Sequence, residues 1–462
     1  MKLNENIMPE LADELVMRLA LREEENVYNE DVYLLYNPNG YGGVMVTGED
    51  VIKLLRQFDG KTSIATAIKK LKRVDPNEAM RIISHLFAKQ MLKADGVQVD
   101  VDKAWKKELT CWLHITNDCN LRCTYCYIHK THSDMPDDIL YQSLDKMFDS
   151  CKKHGYSKLS LMLVGGEPLT RFEKIKEIVD YCSEVKGDVE VKYIIPTNGT
   201  LITKEVANYI VQNKISIGVS LDGIKEFHDE NRVKVDGTGS YAQTMRGIDN
   251  LISAGIKPSI MVTVTPQNLD GLPLLTEEMI NKKLFFRFSF QRDTQTGIPD
   301  IMNHSEHCLD VLKECFEIMY NALINGKTGW LFQFGDVTFG RPVRRACAAG
   351  KNFFSIGQDG SIGSCSLGLE APKGNISDVD DVICNINEMF PEISKTSACD
   401  IKGCGKCIWR HSCAGACPLQ TYATYGTYLH ISPYCYLYEK CLPDVIRIYA
   451  LTIYYKNKEK EE

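Results

Sequence analysis

The sequence contains no apolar run approaching the ~20 residues that a membrane-spanning helix needs, so no integral membrane protein is expected. It also has no block of Lys and Arg, and its net charge is −7. Nucleic-acid phosphates are bound by clustered cations, so that balance argues against a nucleic-acid partner. The first residues, MKLNENIMPELADEL, show neither an apolar h-region nor a small-residue cleavage site. Export is therefore not expected, and a cytoplasmic location is. Internal repeats and low-complexity linkers are missing too, which leaves changes of pattern as the only markers of domain boundaries.

What the chain has in excess is cysteine, at 18 residues. In a secreted protein these would read as disulfides. In a reducing cytosol thiols stay free, and closely spaced groups of them read as metal sites. An apolar content of 44% with 25% charged residues is that of a globular protein. The 462 residues exceed one ordinary core, and at roughly 100–200 residues per domain three domains are expected.

Three patterns divide the chain. From about Asn26 to Gly96, two strand-like runs, VYLLYN and GGVMVT, flank the turn signal Pro38-Asn39-Gly40 and predict a hairpin. Helical stretches follow at Gly48 to Phe58, Ser63 to Leu71 and Asp75 to Met91, which together suggest a small winged-helix-like unit. From Cys111 the rhythm becomes strand then helix, with strand candidates CWLHIT, KLSLMLV, VEVKYII, ISIGVSL, KPSIMVTV and FFRFSF. Such alternation predicts an α/β fold, a parallel sheet covered by helices with about six units, fewer than a full eight-fold barrel. After Trp330 periodicity is lost and Gly and Cys become frequent, until an apolar stretch from Val445 to Tyr455 and the mixed-charge end KNKEKEE. This third region is expected to fold around metal.

The sharpest motif is Cys119-Asn-Leu-Arg-Cys123-Thr-Tyr125-Cys126, directly after the first strand of the alternating region. Three thiolates on one short loop can hold three irons of a [4Fe-4S] cluster and leave the fourth iron open to a chelating ligand. A zinc knuckle is the competing reading, but structural zinc wants four ligands, for which His114 and His129 are the candidates.

On these residues the chain resembles the radical S-adenosylmethionine (SAM) superfamily, whose hallmark is C-x3-C-x-aromatic-C on the loop after the first strand of a partial (β/α)6 barrel. The resemblance implies that SAM chelates the open iron and is cleaved to a 5′-deoxyadenosyl radical, with Cys119, Cys123 and Cys126 as the catalytic and metal-binding loop. Gly165-Gly166-Glu167-Pro168, at the end of the second strand, looks like the family's GGEP motif. There the glycines are expected to let the backbone approach SAM, and Glu167 to accept from its ammonium group. Tyr125, Thr197, Asn198, Ser220, Asp222 and Arg232 are further expected SAM contacts, Ser220 for the ribose and Arg232 for the carboxylate.

The last third also resembles a family pattern. Cys347, Cys365, Cys404-x2-Cys407-x5-Cys413-x3-Cys417 and Cys435 are similar to the seven-cysteine SPASM domain, which holds two auxiliary [4Fe-4S] clusters. The resemblance implies one cluster on Cys404, Cys407, Cys413 and Cys435, and a second on Cys347, Cys365 and Cys417. The second set lacks a fourth member; Cys384 or Cys399 would supply it, or the iron is left open for a substrate thiolate. Sulfatase maturases carry a cysteine where this chain has Phe353 and an Asp base where it has Ser366, two departures that argue against that activity. Cys111, Cys151, Cys182, Cys308 and Cys315 are expected as buried thiols, and Cys441 has no evident role.

The N-terminal unit, with Leu54-x3-Phe58-Asp59-Gly60-Lys61-Thr62-Ser63 between helices, resembles the PqqD-like element that binds precursor leader peptides as an added strand. The expected organisation is a PqqD-like recognition element at 1–100, a radical SAM partial barrel at 108–325, a SPASM domain at 340–443 and a tail at 444–462. The implied partners are a ribosomally made precursor peptide with a leader and an electron donor such as flavodoxin or ferredoxin. The implied reaction is thioether formation from a Cys sulfur to a carbon, with a carbon-carbon crosslink as the alternative. An iron-sulfur regulator that binds DNA through the winged helix is the rival from another class, and it has no use for GGEP.

Overall fold

The computed structural model describes residues 3–19, 32–70, 75–97, 107–293, 297–344 and 347–461. The expected helix end at Leu71 and the expected unit start at Asn26 lie outside the described residues. Among the described residues no helix is long and apolar enough to cross a membrane.

The first unit comprises strands β1 (Glu10–Leu11), β2 (Val16–Leu19), β3 (Val32–Tyr36) and β4 (Met45–Gly48), helices α1 (Glu49–Leu55), α2 (Ile64–Lys70) and α3 (Pro76–Ala88), and β5 (Leu92–Lys93). β3 and β4 form the expected antiparallel hairpin, and β2 adds a third strand to it. α3 starts where Asp75 caps the amides of Asn77 and Glu78, with Pro76 at the first helical position. β3 is apolar throughout because both its faces are covered. Leu35 joins a local core with Ile52, Leu55, Ile83 and Phe87, while Val32, Leu34 and Tyr36 point into the main core of the molecule.

The main body is one sheet in which β6 (Glu108–Thr116), β7 (Lys158–Gly165), β8 (Glu190–Thr197), β9 (Ser216–Ser220), β10 (Ser259–Val264), β11 (Phe285–Phe290) and β12 (Leu331–Phe334) run parallel in sequence order. Between them lie α4 (Asp137–His154), α5 (Phe172–Val185), α6 (Lys204–Gln212), α7 (Lys225–Asn231), α8 (Tyr241–Ser253), α9 (Leu272–Asn281) and α10 (Ser305–Ile324). In α5 the buried residues Ile175, Ile178, Val179 and Cys182 follow the i, i+3, i+4, i+7 stripe of a helix lying on a sheet. β11 alternates, with Phe286, Phe288 and Phe290 inward.

The Cys-rich region is not appended at a distance. Its β13 (Phe353–Ile356) pairs in parallel with β6, Phe353 opposite Thr110 and Ile356 opposite Leu113, and β14 (Ser361–Gly363) and β15 (Gly374–Asn375) extend the same sheet. Short helices α11 (Val382–Met389), α12 (Pro391–Lys395) and α13 (Pro418–Tyr425) follow. The chain then enters α14 (Cys435–Glu461), which packs along α10. Periodicity is therefore not lost after Trp330 as the sequence suggests: β12 adds a seventh parallel strand, and the apolar stretch from Val445 lies inside a helix that begins at Cys435.

Candidate iron-sulfur and SAM site

Every element of the candidate site stands at the carboxyl end of a parallel strand, where an α/β sheet leaves its ligand crevice. The loop Cys119–Cys126 follows β6, Gly165–Glu167 ends β7, Thr197 and Asn198 end β8, and Ser220–Asp222 end β9.

The Gly165-Gly166 turn is seated on the cysteine loop. The amide of Gly166 donates to the Thr116 carbonyl and that of Glu167 to the Asp118 carbonyl, both at 2.9 Å. A Cβ on Gly165, whose φ is +142°, would lie 2.0 Å from the Thr116 oxygen, and one on Gly166 would lie 2.2 Å from that of Asp118. These glycines therefore permit a close approach to the backbone of the cysteine loop. Glu167 is buried, at 1% exposure. Its Oε1 accepts from the Thr197 hydroxyl (2.7 Å) and the Leu169 amide (3.0 Å), and its Oε2 from the Asn198 amide (2.8 Å). Burial raises its pKa, and these donors act in the opposite sense. Glu167 thus ties the end of β7 to the end of β8. Asn198 passes the tie on, its Nδ2 donating to Asn120 Oδ1 inside the cysteine loop at 2.9 Å.

A second buried group holds the other side of the loop. Asp222 is fully buried and accepts from Arg232 Nε (2.7 Å), the Tyr125 hydroxyl (2.5 Å) and the Thr263 amide (3.0 Å). The Arg232 guanidinium carbon lies 5.4 Å from the Tyr125 ring centre, and its Nη1 is 4.0 Å from Cys123 Sγ. Asp222 therefore acts on protein partners, positioning Tyr125 and Arg232, whereas Arg232 brings positive charge to the thiol. Burial pushes the Cys123 thiol up and Arg232 pulls it down; the Cys119 thiol is pushed up to about 11, chiefly by burial. Ser220 is half-buried at the end of β9.

Sequence reasoning missed the clamp beneath the loop. Arg171 donates to both Asp134 oxygens at 2.8 Å and to Asp118 at 3.2 Å, and the Thr116 hydroxyl donates to Asp134 at 2.6 Å. Arg171 lies three residues after Pro168, but no spacing rule marks Asp134 as its partner. His114, weighed as a zinc ligand, instead pairs its Nε2 with the Ser366 hydroxyl at 3.0 Å, and burial holds its pKa down to about 4.

In the Cys-rich region, burial pushes the Cys347 thiol up to about 12, and repulsion from Cys365 and Cys417 adds to the shift. Burial likewise raises Cys404 to about 11, with Cys435, Cys407 and Cys399 adding; Cys413 is raised by burial and by Cys404, Cys435 and Cys407. Cys347 thus lies within electrostatic reach of Cys365 and Cys417, and Cys404 and Cys413 each lie within reach of Cys407 and Cys435. Cys399 is within reach of Cys404 as well. Cys384 is exposed on α11 with its Sγ 3.7 Å from His154 Nε2, a partner outside the Cys347 set. Cys111, Cys151, Cys182, Cys308, Cys315 and Cys441 are all fully buried among apolar side chains.

Thiol spacing separates zinc from an iron-sulfur cluster. A Zn–S bond of about 2.3 Å places the sulfurs of a tetrahedral site about 3.8 Å apart. Among the described residues, the one group of three or more His, Cys, Asp or Glu ligand atoms lying within 4.8 Å of each other is His154, Asp381 and Cys384. No three of the motif cysteines come that close together, a spacing that suits a multi-iron cluster better than a single zinc ion.

Residues 113–282 match the model of the Radical SAM superfamily. The cysteine-type anaerobic sulfatase-maturating enzyme of Clostridium perfringens is 24% identical over 351 residues, covering 70% of this chain and 92% of that protein. Among solved structures, anSMEcpe with bound AdoMet and Cp18Cys peptide aligns with a TM-score of 0.64 at 22% identity, over 76% of this chain and 99% of that one. Streptococcus suis SuiB bound to precursor peptide SuiA aligns with a TM-score of 0.52 at 15% identity, over 92% and 98% of the two chains. These likenesses show the fold: a mixed α/β protein with a central parallel-sheet core and a cysteine-rich C-terminal region.

Proposed function

Residues 113–282 form a radical SAM domain, whose cofactors are SAM and a [4Fe-4S] cluster, and on that premise we propose that this chain matures a ribosomally made precursor peptide by joining a substrate Cys sulfur to a carbon of another residue. Residues 1–100 bind the leader, the barrel at 108–325 cleaves SAM, and the region at 340–443 holds two auxiliary clusters beside the substrate. When bound, SAM and the reduced cluster would supply the radical that removes a hydrogen atom from carbon, and an auxiliary cluster would offer the substrate thiol a site that releases its proton and an acceptor for the electron freed when sulfur joins that carbon.

The protein's own residues have narrower tasks. Cys119, Cys123 and Cys126 would hold three irons; Arg232 sets a cation beside Cys123; Thr197 and Asn198 hold Glu167, which would take the SAM amino group, and Ser220 would take the ribose. The Cys347, Cys365 and Cys417 set keeps an iron position for a substrate thiolate, a reading supported by the location of Cys384 beside His154. Reducing equivalents come from a flavodoxin or ferredoxin.

The observation that carries the peptide reading is the fastening of the N-terminal unit to a cluster loop. Tyr36 stacks on Trp409 with ring centres 5.8 Å apart, and its hydroxyl donates to the Ile408 carbonyl at 3.1 Å and lies 3.0 Å from Ser412 Oγ. All three partners lie between Cys407 and Cys413. A strand-adding leader held on the β2–β3–β4 sheet would thus be delivered next to the auxiliary clusters. SuiB and anSMEcpe, whose folds this chain shares, have been solved with peptides bound.

Anaerobic co-expression with a short Cys-containing precursor, followed by tandem mass spectrometry, tests the reading. Loss of a hydrogen pair with the thiol blocked from alkylation is expected. The same loss with thiols free would replace the thioether by a carbon-carbon crosslink. An unchanged peptide mass despite turnover of SAM would sink the peptide reading altogether. Anaerobic reconstitution should give about 12 irons per chain, and a value near 4 would remove the auxiliary clusters.

A further inference from the structure

α4 begins after the cysteine loop and runs back beneath the sheet, so its last residue, His154, lies at the amino ends of the strands, opposite the SAM site. There it meets the start of α11. His154 Nε2 is 2.7 Å from Asp381 Oδ2 and 3.7 Å from Cys384 Sγ, and the three ligand atoms all lie within 4.8 Å of one another.

The carboxylate is held in place. Asp381 caps α11, its Oδ1 accepting from the Cys384 amide at 3.3 Å and the buried Ser150 hydroxyl at 3.2 Å, while Ser150 Oγ itself accepts from the Val382 amide at 2.8 Å. With Oδ1 engaged, Oδ2 is turned toward His154 and Cys384. A proton relay from acid through imidazole to thiol would use both ring nitrogens, one for each partner. Here the same Nε2 faces both, so the three atoms converge on a point rather than form a chain.

We propose that His154, Asp381 and Cys384 form a binding site for one zinc-type divalent cation that pins the Cys-rich region to barrel helix α4. An N, O and S donor set suits zinc and related borderline ions, whereas magnesium and calcium take oxygen ligands alone. Carboxylate and thiolate together neutralise the dication, and water completes a tetrahedron. Lys153 Nζ lies 2.9 Å from the same Oδ2, but its side chain is 67% exposed and can swing into solvent. Lys153 is therefore a competitor of the ion, and Ser150 an orienting partner of the ligand.

The test uses the full chain after anaerobic iron-sulfur reconstitution, which occupies the motif thiols, titrated with Co²⁺. One equivalent is expected to bind with a thiolate-to-cobalt absorption band and no loss of iron. Cys384→Ala, at an exposed position, should abolish the band, and the difference between parent and variant isolates this site even where other thiols take cobalt. Ser150→Ala should weaken binding about 10-fold, and Lys153→Met should tighten it severalfold. A chain that binds no Co²⁺ saturably, or that binds it equally well with Cys384→Ala and Lys153→Met, overturns the assignment.

Discussion

The two cysteine regions are built on opposite principles. The loop Cys119–Cys126 is fixed by partners distant in sequence: the Arg122 amide donates to Val233, the Thr124 amide to Asn231, and Asn120 accepts from Asn198. The stretch Cys404–Cys417 is held mostly by its own turns, with amides of Cys407, Arg410, Cys413 and Ala416 donating three or four residues back. Ala414, Gly415 and Ala416, between ligands of the two proposed clusters, all have positive φ, at 50°, 80° and 58°. Left-handed backbone at a residue with a Cβ costs roughly 1–2 kcal/mol and persists only where the surroundings impose it. The barrel site is thus a product of the sheet, whereas the proposed C-terminal sites would be a joint product of chain and metal.

The largest effect expected from this contrast concerns chemistry alone. Replacing Cys119, Cys123 and Cys126 together by Ala should abolish 5′-deoxyadenosine formation while leaving the barrel folded and the C-terminal iron in place. Iron counts and circular dichroism on the same sample check both halves, and continued SAM cleavage would refute the site.

Stripping iron with a chelator should act in the opposite place. Hydrogen exchange is expected to rise most across 404–435 and little across 158–197, where β7 and β8 are paired and Glu167 is buried. Equal loss in both regions would erase the distinction.

Gly166→Ala probes the sheet-built site from within. The new Cβ, 2.2 Å from the Asp118 carbonyl, must push the cysteine loop away from β7. A destabilisation of about 1–3 kcal/mol is expected, as for overpacking elsewhere in a core, together with weaker SAM binding. Denaturant titration and a SAM binding isotherm would measure the two; a neutral result would mean that the turn yields freely.

The same contrast explains what was legible in the sequence. FFRFSF reads as a strand and forms one, Phe285–Phe290, because apolar alternation between helical segments is a local signal. β12 and β13, with four residues each, are too short to stand out, and β13 pairs with β6 across more than 200 residues of chain, which no periodicity records. The apolar stretch from Val445 to Tyr455 is the middle of a helix that starts at Cys435 and runs on through Pro443, a continuation that a proline does not advertise. At the site, the residue types at GGEP were legible but their partners were not. That Glu167 and Asp222 spend their oxygens on Asn198, Thr197, Tyr125 and Arg232 depends on strand ends meeting in space.

The smallest effect tests how the N-terminal unit is joined to the Cys-rich region. Tyr36→Phe removes the hydroxyl shared with Ile408 and Ser412 but keeps the stack on Trp409, so a loss of about 1 kcal/mol is expected. Uncoupled SAM cleavage should be unchanged, since no barrel group is touched. The pH dependence gives the sign. Burial, opposed by the Ser412 hydrogen bond, pushes the Tyr36 hydroxyl up to about 12, whereas in the unfolded chain it ionises near 10. A raised folded-state value favours the protonated form, so the parent's margin over the variant should be constant below about pH 10 and shrink as pH rises toward 12. A margin that instead grows with pH would mean that the phenolate is the form that docks, and would place a cation, Arg410 being one whose charge acts on the hydroxyl, at the centre of the joint.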